Sequence, residues 1–280
     1  MSRQTDQQAK HIPEALSPHA NAATSKLSPS RFLSREQSTF VQEVLTFCSD
    51  HLHDQSALLV IEGAAGTGKS VVLNAIFNII QIRARSKNPA DPLNGTCNAL
   101  LVNHPEMLKL YRNIAADMPA LKKADFERPT TFINRHHKAE TKADIVLVDE
   151  AHLLLTRPDR YNHFKQQNHL EEILDLARVV IIVFDPSQVL KFKSHWSSTL
   201  LDQFCQGRLT RTLHLTTQFR IEAGPAIRHW LDALAKGHLL PRPRDQKFDL
   251  RVYDDCAKLY EDLQARNREV GLCRLLSTYD

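Results

Sequence analysis

One octapeptide constrains this chain more than anything else in it. Gly63-Ala64-Ala65-Gly66-Thr67-Gly68-Lys69-Ser70 follows the pattern G-x-x-x-x-G-K-[ST], between an apolar run at 58–61 and a stretch of helical spacing at 71–82. Strand, glycine-rich turn and helix in that order form a phosphate cradle. The glycines let the backbone turn its N–H groups toward phosphate oxygens, and the helix N-terminus adds a favourable dipole. Lys69 then reaches the β- and γ-phosphates of a nucleotide, and the Ser70 hydroxyl faces Mg²⁺. Such a loop needs a strand buried on both faces, and the chain repeats that unit. Continuous apolar runs recur at 99–102, 145–148 and 179–184, with helical spacing between them at 106–114 and 169–176. A further strand at 210–215 and helix at 226–234 continue the alternation, and an earlier helix runs from Phe32 to about Phe47. The pattern predicts an α/β fold with a doubly wound parallel sheet.

A cradled nucleotide needs a carboxylate for its metal. Ile145-Val146-Leu147-Val148-Asp149-Glu150 supplies one at the carboxyl end of a buried strand. Asp149 is read as the Mg²⁺ ligand and Glu150 as the group that orients and deprotonates the attacking water.

Composition removes other classes. Hydrophobic residues make up 42% and charged residues 24% of the 280, a globular balance, and no apolar run approaches the roughly 18 residues of a membrane span. Five widely spaced cysteines, with no C-x-x-C pair, fit neither a disulfide framework nor a zinc knuckle, and read as reduced thiols mostly in the core. A cytoplasmic location is expected. The net charge of +4 permits nucleic acid as a partner without arguing for it. Basic stretches at 83–87, 122–123 and 135–138 suit phosphates, but solvated faces explain them as well.

Beyond the loop, Asp149-Glu150-Ala151-His152 resembles motif II of superfamily 1 and 2 helicases. Asp185-Pro186-Ser187-Gln188 is similar to the Gly-Asp-x-x-Gln of superfamily 1, with Phe184 standing where that family has Gly. By this resemblance Gln188 senses the γ-phosphate. Leu33-Ser34-Arg35-Glu36-Gln37 is similar to the Q motif, which implies that Gln37 selects adenine, and Gln218-Phe219-Arg220 resembles motif IV, which implies an Arg220 guanidinium on the γ-phosphate. Asn103-His104-Pro105 looks like motif Ia. Together these most resemble the bacterial ATPases with a Schlafen-group-3-like DNA/RNA helicase domain, over residues 32–279.

The resemblance implies a RecA-like core that binds ATP and Mg²⁺, hydrolyses ATP, and engages DNA or RNA, most readily single strands. The expected organisation is a loose tail at 1–30, an ATPase domain at 31–235, and at 236–280 a linker with the incomplete start of a second RecA-like domain. Within that last part a strand at 250–253, a helix at 257–266 and a strand at 272–276 are expected. The missing half would supply an arginine finger, so this chain alone should hold nucleic acid weakly and turn ATP over slowly. Two other classes stay open. One is an ATP-dependent switch that binds a partner protein without translocating. The other is an AAA-type subunit, which usually has Asn or Thr where Asp185-Pro186 stands.

Overall fold

The computed structural model describes residues 27–29, 33–54, 56–64, 66–185, 196, 198–216, 224–245, 248–271 and 273–275. They fall into two compact units, one spanning Leu27–Asp249 and one that includes Leu250–Asp280.

In the larger unit, helix α1 (Arg35–Asp50) precedes β1 (Ala57–Gly63), α2 (Lys69–Ala84), β2 (Asn98–Val102) and α3 (Pro105–Ala116). Then come β3 (Phe126–Glu127), α4 (Pro129–Ala139), β4 (Ala143–Asp149), α5 (His169–Asp175), β5 (Ala177–Phe184), α6 (Ser198–Cys205), β6 (Thr210–Leu215) and α7 (Pro225–Ala235). The six strands form one sheet in the order β3-β2-β4-β5-β1-β6, with every pairing parallel. The predicted doubly wound architecture is therefore present.

Period-two alternation divides the central strands between two cores. Leu59, Ile61, Leu147 and Ile181 pack with α1, α2 and α3 on one face, while Leu58, Val60, Val148 and Ile182 pack with α4, α5 and α6 on the other. Because all strands run the same way, their carboxyl ends share one edge. The ends of β4, β5 and β1 lie side by side there, the crevice where open α/β sheets bind ligands.

Several expectations need correction. Strand β3 and helices α4 and α6 are additional to the predicted elements. The cysteines are not mostly core: Cys48 is buried, whereas Cys97 and Cys256 are exposed. The proline-rich stretch after α7 is tied back to that helix. The Trp230 indole donates to Leu240 O at 2.8 Å, and the Asp245 carboxylate accepts from Gly224 N at 3.0 Å, so residues 238–245 return along α7. In the smaller unit, residues 250–253 form no strand, nor do 273–275, while the expected helix is present and longer, as α8 (Cys256–Val270). Asp262 accepts from both Arg251 and Tyr253, a side-chain contact that draws 250–253 to the helix and leaves their backbone without a ladder. Among the described residues no helix is long and apolar enough to cross a membrane.

Candidate functional site

The site begins where β1 gives way to α2. A Cβ on Gly63 would meet Thr67 Oγ1 at 2.7 Å and Leu215 O at 3.0 Å, so no larger residue fits between the loop and β6. Gly68, the N-cap of α2, has φ +82°, a left-handed conformation that glycine adopts without strain. It offers no side-chain cap, and no acidic residue stands in the first turn, so the N–H groups of that turn are available to an anion. Thr67 closes the loop on itself, Oγ1 donating to Ala64 O at 3.0 Å.

Lys69 is folded back onto the loop. Its Nζ donates to Gly63 O at 2.6 Å and Ala64 O at 2.9 Å, and meets Asp185 Oδ2 at 3.2 Å. Three acceptors match the three donors of an ammonium group. Both members of the ion pair are buried, which makes it costly to separate without a replacement anion. Asp185 follows β5, between β1 and β4. Sequence reading treated it as part of a motif and gave its own side chain no role; its position directly after the Val179–Phe184 run was the available signal.

Across the crevice, Asp149 ends β4 and is buried. Its Oδ1 accepts from the Ser70 hydroxyl at 3.3 Å and from Glu150 N at 3.1 Å, and its Oδ2 accepts from the Tyr111 hydroxyl at 2.7 Å. Burial, with the neighbouring Glu150 charge second, pushes the Asp149 carboxyl up to about 6, and these hydrogen bonds restrain the rise. A hydroxyl and a carboxylate brought together are hard oxygen donors, as Mg²⁺ requires. Among the described residues no group of three or more His, Cys, Asp or Glu forms a metal cage. Ser70 and Asp149 thus fit a cation that completes its shell with phosphate oxygens and water.

Glu150 has φ 50° and ψ 53°, a left-handed backbone uncommon outside glycine and the kind of strain that gathers at functional turns. Its half-buried carboxylate lies 3.4 Å from His152 Nε2. Burial lowers the His152 pKa, and its Nδ1 has no hydrogen-bond partner among the described residues.

The remaining assignments divide. Gln37 is buried, and its Oε1 accepts from Ser34 N at 3.0 Å while Ser34 Oγ accepts from Gln37 N at 3.1 Å. That capping box holds the start of α1 and uses one lone pair of the amide oxygen, while no hydrogen bond of the amide nitrogen is described. Asn103 donates to Leu153 O at 2.6 Å, and His104 caps α3. Ala65, Gln188, Gln218, Phe219 and Arg220 lie outside the described residues. Four side chains of the basic stretches have carboxylate partners. Arg83 is paired with Asp91, Arg85 with Asp125, Arg135 with Glu127 and His137 with Glu172.

Comparison with known proteins adds the following. The Schlafen group 3, DNA/RNA helicase domain matches residues 56–280. Uncharacterized protein YPL245W of Saccharomyces cerevisiae is 37% identical over 277 residues, covering 89% of this chain and 61% of that protein, so the chain spans less than two thirds of its curated relative. Among solved structures, Pif1 helicase from Candida albicans is 15% identical with a TM-score of 0.42, over 86% of this chain and 55% of that one. Domain III of the Thermotoga maritima replication initiation protein DnaA is 16% identical with a TM-score of 0.36, over 90% and 92%.

Proposed function

The chain belongs to the Schlafen group 3 DNA/RNA helicase domain family, and from that premise and the geometry of its site we propose that it binds Mg²⁺-ATP, hydrolyses it, and works as a helicase-like motor core on single-stranded DNA or RNA. The observation that carries this reading is the approach of Ser70, after the loop, to Asp149 at the carboxyl end of β4, with Lys69 beside Ser70. The loop N–H groups and Lys69 hold the phosphates. Ser70 and Asp149 hold Mg²⁺, which when bound draws charge from the phosphate oxygens. Glu150 orients the attacking water and takes its proton. Gln188 and Arg220 are proposed to read the γ-phosphate and Gln37 to contact adenine. Asn103 and His104, at the carboxyl end of β2, are proposed to face the nucleic acid.

Steady-state ATPase with and without single-stranded DNA and RNA tests the proposal, alongside ATP binding by isothermal titration. Binding that depends on Lys69, with turnover raised by a single strand, is the expected result. Lys69-dependent turnover that ignores both nucleic acids would instead identify an ATP-dependent switch.

A further inference from the structure

Tyr111 sits on α3 with its side chain fully buried, and no motif includes it. A buried hydroxyl must find a partner, and this one has selected Asp149 Oδ2, 2.7 Å away and 38 residues along the chain. Two features make the contact more than a satisfied donor. The carboxylate is gripped at both oxygens, Oδ1 by Ser70 and Oδ2 by Tyr111, and the Tyr111 hydroxyl also lies in hydrogen-bond reach of Ser70, so the three groups form one cluster. A carboxylate gripped at one oxygen cannot rotate freely about its last torsion, so Oδ1 stays turned toward the loop. The phenol itself is clamped as well. Its ring stacks on Phe126 of β3, with centroids 5.7 Å apart and planes 16° apart, and Phe126 meets Phe77 of α2 edge-on at 5.2 Å. The ring is therefore held, through Phe126, against the same helix that carries Lys69 and Ser70.

We infer that Tyr111 is a positioning residue for the metal-binding carboxylate, holding Asp149 so that Oδ1 faces Ser70. It holds neither metal nor nucleotide itself and acts through the two side chains its hydroxyl contacts, Asp149 above all and Ser70 beside it. The inference rests on the proposed role of Asp149 as Mg²⁺ ligand. Removing an outer partner of this kind typically costs about 10–100-fold in metal affinity while sparing the rest of the site.

The experiment compares unmutated protein with Tyr111→Phe, which keeps the ring and deletes the oxygen. ATP affinity is titrated over a range of Mg²⁺ concentrations and again in excess EDTA. The expected result is a rise of about 10–100-fold in the Mg²⁺ concentration giving half-maximal affinity, with unchanged affinity in EDTA. A Mg²⁺ dependence identical to that of the unmutated protein overturns the inference, and so does a parallel fall with and without metal, which would mark a packing role. If Tyr111→Phe fails to fold, Tyr111→Met, which also lacks the hydroxyl, is read in the same way. The two readings fail separately: unmutated protein indifferent to Mg²⁺ defeats the metal assignment and the inference with it, whereas a normal response retained in Tyr111→Phe defeats the inference alone.

Discussion

Helices α2 and α8 are almost equal in length, and they are helical for opposite reasons. Of the 16 residues of α2, 11 are buried, including the polar Lys69, Asn74, Asn78 and Gln81. None of the described side chains of α8 is buried. Helix α8 is built from its ends, with the Asp255 carboxylate accepting from Ala257 N at 2.8 Å and Gly271 closing it at φ 69°. Helix α2 has no side-chain cap and is held by the sheet beneath it. An element held by its surroundings keeps its first turn open for a ligand, whereas one held by its caps has used its ends on itself. Chemistry in this molecule belongs to the first kind.

The comparison can be broken most sharply at the first residue of α2. Lys69→Ala should weaken Mg²⁺-ATP binding by about 100-fold or more, since two charged phosphate contacts are worth about 3–6 kcal/mol; Lys258→Ala in α8 should leave it unchanged. Isothermal titration of both variants decides it, and comparable affinities would remove Lys69 from the site. Next in size is packing. Leu73→Ala in α2 should cost about 2–5 kcal/mol in urea denaturation, against less than about 0.5 kcal/mol for the exposed Tyr260→Ala in α8. Equal costs would mean that α8 is packed after all.

A third test uses the charge beside α2. Asp149, raised from 3.8 to about 6, binds protons more readily folded than unfolded, so its penalty on stability is absent below both values and complete above about 6. Two pKa units correspond to about 3 kcal/mol. Asp149→Asn leaves one acceptor oxygen for donors on both sides of the carboxylate, a cost independent of pH, so the test is the difference: relative to the unmutated protein the variant should gain about 2–3 kcal/mol between pH 4 and pH 7, measured without nucleotide or metal. A stability difference that does not rise with pH would contradict the raised value. The smallest effect lies at the other helix: Asp255→Ala should cost about 1 kcal/mol of local helix stability, visible as faster amide exchange in the first turn of α8, without altering ATP affinity.

Much of this was legible from residue order alone. The loop at 63–70 and the runs that became β1, β2, β4 and β5 stood out because strands buried on both faces are written as unbroken apolar segments, whereas the polar, largely exposed β6 followed only from the alternation of strand and helix. Strand β3 has two residues, too few for any periodicity. Helix α4 was hidden by Thr130, Thr131 and the basic run at 135–138, which looked like solvated surface; there His136 is buried and Arg135 is tied to Glu127. Tyr111 belonged to no motif and Asp185 only to one that gave its side chain no role. Their partners lie 38 and 116 residues away, and only the strand order β2-β4-β5-β1 brings them into reach. Gln37 shows the converse: its position matched a nucleotide motif, while its amide oxygen serves the nearest backbone.

The folded-back ammonium of Lys69 has a consequence for the speed of nucleotide capture. Gly63 O, Ala64 O and Asp185 already occupy its three protons, so an arriving phosphate does not drop into an open seat but displaces ligands from an occupied one. On the proposed reading, capture is then a substitution, with encounter at the loop first and exchange at Lys69 second. Such an exchange step would set a ceiling on the observed association rate that more ATP could not lift, and the strength of the Asp185 contact would set the height of that ceiling.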